Sequence, residues 1–123
     1  MTAEAIAVGV VAALHVWFLV FEMFLWTSPL ARKTFGMTEQ LANDSKVLAA
    51  NQGIYNGVFA AGLVLSLVVD EPVAYAFKVF FLAGVIVVGL YGALSASWKI
   101  LLMQVMPGAI GLFLVLSHYG VVG

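Results

Sequence analysis

The chain contains no cysteine, which removes disulfides, thiolate metal sites, iron–sulfur clusters and cysteine nucleophiles together and leaves the redox compartment open. Charge is scarce as well: five basic and six acidic side chains make up 9% of 123 residues, for a formal net charge of −1. So few cations cannot assemble the basic field that holds nucleic acid, and nucleic acid is excluded as a partner. Thr2 stands where N-myristoylation needs glycine, and without cysteine no thiol-borne lipid can be attached. The first apolar stretch lacks a basic leader and the small residues of a cleavage site, so we expect it to be a retained span.

What the chain has in excess is apolar surface. Hydrophobic residues are 64% of the total, more than a soluble domain of this length can hide. A spanning helix needs about 20 residues, and four fit, at about 4–26, 47–69, 73–94 and 100–119. Thr27, Ser28 and Pro29 break the first, Asp70, Glu71 and Pro72 separate the second from the third, and Ser95 to Lys99 separate the third from the fourth. Between the first two spans, Thr27 to Lys46 is the one stretch that reads as water-exposed, although Thr38 is placed to cap a helix that begins early. The expectation is an all-α integral membrane protein, a single four-span domain over residues 1–123 folded as an up-down bundle.

Arg32, Lys33, Lys46 and Lys99 fall in the first and third connections, while the other side holds Asp70, Glu71 and both termini. The positive-inside bias then makes those two connections cytoplasmic and both termini outer, in a multi-pass protein of the plasma (inner) membrane. Trp26 and Trp98 fall at the same cytoplasmic boundary, where amphipathic rings prefer to sit. Glycines recur along spans two, three and four, and let helices approach closely.

The informative residues are polar ones where hydrocarbon is expected: His15, Glu22, Asn51, Gln52, Tyr55, Asn56 and Gln104. Such groups are costly at depth unless they face the bundle interior and meet a partner, so most should point inward. Counting about 1.5 Å per residue along alternating helices puts them in the cytoplasmic half, with His15 two turns deeper than Glu22 on the same face and Trp17, Phe18 and Phe21 as apolar lining. This describes a polar pocket open toward the cytoplasm, in which Glu22 is the natural proton or cation carrier and His15 can exchange protons near neutrality. Interhelical hydrogen bonding alone is the competing account, and it needs only one or two such groups.

His15 and Glu22 lie about 10.5 Å apart along their helix, too far to share a metal ion, and no Glu-x-x-His pair is present, so no metal site is expected. A haem between His15 and His118 is discounted because their depths differ by about 12 to 16 Å. Lys78 stands about two turns into span three, where its stem can snorkel to water beside Asp70 and Glu71.

The run AANQGIYNG at 49–57, with His15, Glu22 and QVMPG at 104–108, looks like the small four-helix bacterial membrane protein family catalogued as domain of unknown function 1304. The resemblance covers essentially the whole chain and implies fold and location rather than a reaction. It highlights His15, Glu22, Asn51, Gln52, Tyr55, Asn56, Gln104 and Pro107, which overlap the set obtained from depth. No cofactor follows from it.

Three functions compete. The first is a membrane-embedded binding protein, or an enzyme, that takes a small amphiphilic or lipid-soluble molecule from the bilayer into the pocket, with Glu22 and His15 as recognition or acid–base groups and the amides orienting it. The second is a proton-coupled exporter acting as a homodimer, which small multidrug-resistance transporters resemble in outline. The third is an assembly or structural subunit of a membrane complex, with the polar layer as internal glue.

Overall fold

Caps and breakers in the sequence set the helix ends. The computed structural model describes residues 1–123 and contains α1 (Ala3–Phe24), α2 (Pro29–Phe35), α3 (Glu39–Ser66), α4 (Val73–Ser95) and α5 (Met106–His118), with no strand. A widened π turn, Leu101–Val105, runs directly into α5. Helices α1, α3 and α4 and the continuous stretch Leu101–His118 are each long and apolar enough to cross a membrane, which makes this a multi-pass membrane protein.

Helix α2 lies within the connection that reads as exposed. The Ser28 hydroxyl accepts the Ala31 N–H at 3.3 Å, Pro29 opens the helix, and Gly36, at φ 64°, closes it in the left-handed region. Helix α3 begins at Glu39 rather than near Val47, because the Thr38 hydroxyl accepts the Leu41 N–H at 3.0 Å and caps it. Its 28 residues are about 42 Å long, well beyond the ~30 Å of hydrocarbon, so its polar first turns extend past the apolar layer. The π turn answers Pro107. A proline there has no N–H for the Met103 carbonyl and its ring crowds that oxygen, and widening the turn, with the Met106 N–H on the Leu101 carbonyl, carries the backbone past it.

The chain forms two compact units, Met1–Leu14 with Phe59–Gly123, and His15–Val58. The first holds the start of α1, the end of α3, all of α4 and α5. Its core is Val8, Val11, Ala12, Leu63, Leu82, Val85 and Val115, one cluster drawn from all four helices. Neighbours run antiparallel: Phe59 and Gly62 of α3 meet Gly84 and Phe81 of α4, and Leu82, Val85 and Gly89 meet Gly111, Gly108 and Val105 in turn. This unit is an up-down four-helix bundle. Gly62 is required there, since a Cβ would enter the Phe81 ring.

Both chain ends meet at one end of this bundle, around Lys78. Its ammonium lies 3.1 Å from one Glu4 carboxylate oxygen and 3.2 Å from the other, and donates to the Tyr119 hydroxyl at 3.2 Å. The Tyr119 hydroxyl donates in turn to Glu71, whose second oxygen accepts the Tyr75 N–H at 3.2 Å. Thr2 donates to Glu4 at 3.1 Å, and the Tyr119 ring sits under the ammonium at 5.3 Å. Lys78 is 6% exposed and Glu4 5%. Lys78 therefore does not snorkel to water. It turns inward because a carboxylate from α1 and a phenol from the end of α5 reach it at close range, whereas extending outward would take the ammonium from the buried Glu4 carboxylate.

Removing one partner of a buried pair strands the other, so Lys78→Met and Glu4→Gln should each lower thermal stability in detergent by roughly 3 kcal/mol. The double variant should recover a large part of that loss. Additive losses in the double-mutant cycle would show the two groups to be uncoupled.

Candidate functional site

The second unit, His15–Val58, brings the end of α1 against the start of α3. Ala49 and Gly53 are buried on one stripe of α3, and Leu19 of α1 lies over both Gly53 and Gly57. A Cβ on Gly53 would come to 2.6 Å from Met23 Cγ and 3.2 Å from the Leu19 carbonyl oxygen. The first could shift, but the second is backbone and fixes how near the helices can come. Gly53 thus permits the close approach, and beside it the Asn56 side-chain amide of α3 donates to the Glu22 carboxyl of α1. Both residues are half-buried.

Phe18 precedes Glu22 by one turn on the same face of α1. His15, one turn further, is 1% exposed and its ring meets Phe18 edge-on at 5.1 Å between centroids. At the other end of the unit, Phe21, Trp26 and Phe35 form an aromatic cluster, and the Trp26 indole N–H donates to Ser45 at 3.0 Å. This fastens α2 and the start of α3 to the end of α1. Arg32 faces Glu39 at 3.6 Å in the same connection.

Of the residues singled out from sequence, Glu22 and Asn56 are joined directly and His15 is buried on the same stripe of α1. Asn51, Gln52 and Tyr55 are exposed rather than turned inward. The reason is angular: α3 meets α1 at Gly53 and Gly57, which face Leu19, and at about 100° per residue positions 51, 52 and 55 lie roughly 100° to 160° round from Gly53. Gln52 nevertheless stands one turn from Asn56 and continues its face. Gln104 belongs to the other unit, in the π turn, where its side chain packs against Gly89 of α4. No three His, Asp or Glu side chains gather closely enough to hold a metal ion.

Glu4 was not a candidate from sequence, because an acid in the first turn of a helix reads as an ordinary end group. The signal was present in its spacing. Glu4, Val8, Val11, His15, Phe18 and Glu22 recur at intervals of four and three, the inward stripe of α1. An apolar groove along α4, lined by Tyr75, Ala76, Val79, Phe80, Ala83 and Val87, holds none of the candidate residues.

A family model described as "Protein of unknown function (DUF1304)" matches residues 9–116. The chain is 29% identical over 122 residues to the uncharacterized protein YpaA of Lactococcus lactis subsp. lactis (strain IL1403), an alignment that covers 97% of this chain and 99% of that protein. No solved structure matches the chain.

The role of Gly53 can be tested by enlarging it. Gly53→Leu should push α1 from α3, break the Glu22–Asn56 bond and destabilise the protein by about 1 to 3 kcal/mol, whereas Gly9→Leu, where nothing lies within 4 Å of the added Cβ, should melt within a degree or two of the parent. Equal melting temperatures for the two variants would contradict the close-approach account.

Proposed function

The chain belongs to the family described as Protein of unknown function (DUF1304), and we propose that it is a membrane-embedded binding protein for a small amphiphilic molecule. The polar head would rest against Glu22, Asn56 and Gln52, with Asn51 and Tyr55 at its margin, and the apolar part would lie along the spans. The supporting observation is the bond between Glu22 and Asn56 with exposed amide and phenol side chains on the same or the adjacent turn of α3. Polar side chains at span depth are unfavourable, by about 3 kcal/mol for an ionised group near the centre, unless a partner meets them. One interhelical bond is ordinary packing; three further exposed polar groups beside it exceed what packing uses. A bound head group supplies the partner they lack.

His15 stands behind this surface, edge-on to Phe18, and in this reading it sets the position of the ring that borders the head. Gln104 lies in the other unit, and its side chain is engaged at Gly89, so it takes no part in the proposal. We further propose that the protein resides in the plasma membrane with the connection carrying Arg32, Lys33 and Lys46 on the cytoplasmic side, as the distribution of positive charge favours.

Native mass spectrometry of wild type beside Glu22→Gln and Gln52→Leu tests the binding reading. Wild type should carry an added mass that both variants lose while melting like the parent; no added mass on any of the three would sink it. Orientation is open to single-cysteine labelling, since the chain has no cysteine of its own. An impermeant maleimide added to intact cells stripped of their wall should label Asp70→Cys and spare Lys33→Cys, and the opposite pattern would invert the topology.

A further inference from the structure

The chemistry around Glu22 goes further, to the sign of the head group. Within the spanning residues of the second unit, 15–24 of α1 and 47–58 of α3, Glu22 is the single acidic side chain, and there is no lysine or arginine. The basic residues of that unit are Arg32, Lys33 and Lys46. Arg32 is turned to Glu39 at 3.6 Å, and Lys33 is exposed on α2. Lys46 is exposed on α3, ten residues before Asn56, which is about 15 Å along the helix. Arg32 is thus already paired, Lys46 stands well along α3 from the carboxyl, and none of the three belongs to the spanning residues.

A carboxylate accepts up to about four hydrogen bonds and Asn56 supplies one. The neighbouring amides of Gln52 and Asn51 offer both donors and acceptors and serve a head of either sign. Glu22 decides between them. An anionic head would approach a like charge at an ionised Glu22, with no lysine or arginine among the spanning residues of the unit to offset it, whereas an ammonium favours the ionised form and would meet a carboxylate, amide carbonyls and, one turn along α1, the ring of Phe18. Resting on the binding role proposed above, we infer that the site selects an amphiphile with a positively charged amine head over one with an anionic or an uncharged head.

The test uses the full chain in nanodiscs of phosphatidylcholine and three probes with the same tail: dodecylammonium, dodecyl sulfate and dodecanol. The readout is the amount of each retained above that in protein-free nanodiscs. Dodecylammonium should be retained at least tenfold more than dodecyl sulfate, with dodecanol between them. Glu22→Gln, which keeps an oxygen for Asn56 to bond, should bring dodecylammonium down to the dodecanol level without lowering the melting temperature. Dodecyl sulfate or dodecanol bound as well as the amine, and lost in Gln52→Leu, would overturn the charge selection and leave the binding site standing. Retention of no probe above protein-free nanodiscs, or retention untouched by Glu22→Gln and by Gln52→Leu, would overturn the site and the selection together.

Discussion

An ammonium among apolar side chains must be met by acceptors, and that requirement organises the bundle end at which the chain starts and stops. Lys78 gathers a carboxylate from the first turn of α1, a phenol from the residue after α5 and, through that phenol, a carboxylate from the turn before α4. Each of those segments is the end of an element, where a helix would otherwise fray. The ion pair is not needed to drive burial, which the core of Val8, Val11, Leu63, Leu82, Val85 and Val115 supplies. It selects which ends lie together, the use of buried charge that is best attested in other folds.

In the other unit the constraint is distance rather than charge. Two helices can exchange a hydrogen bond between short side chains such as Glu22 and Asn56 only when their backbones come close, and Gly53 sets that separation. In lipid, where apolar side chains gain little by leaving their surroundings, close packing and side-chain hydrogen bonds are the main forces joining helices. The glycine and the polar pair therefore act at the same level of the same two helices.

The four spans were legible because apolar runs and their breakers are strong, local signals, and so was the cap at Thr38. The pairing of chain ends was not, since Glu4 and Lys78 stand 74 positions apart and no local pattern couples them. Depth counting placed Lys78 near acidic residues and missed that a nearer acid would reach it from α1. At the candidate site, counting depth put Glu22 and Asn56 at one level, where a hydrogen bond joins them, but depth says nothing about angle. Asn51 and Tyr55 share the level of the pair but point round the helix from it, and Gln52, one turn from Asn56, is exposed. Pro107 carried a readable signal of another kind, since a proline inside a span announces some irregularity, though not that a π turn would absorb it.

The meeting of both ends at Lys78 also bears on how such a chain could be copied. With Glu4 and His118 3.9 Å apart, a second bundle joined after α5 would begin beside the place where the first α1 began. An even number of crossings returns the polypeptide to the face it left, so a tandem duplicate would insert in the same sense as the original. Descendants of that event would be related by an axis along the membrane normal; the inverted repeats of many transporters need an odd number of crossings in each half.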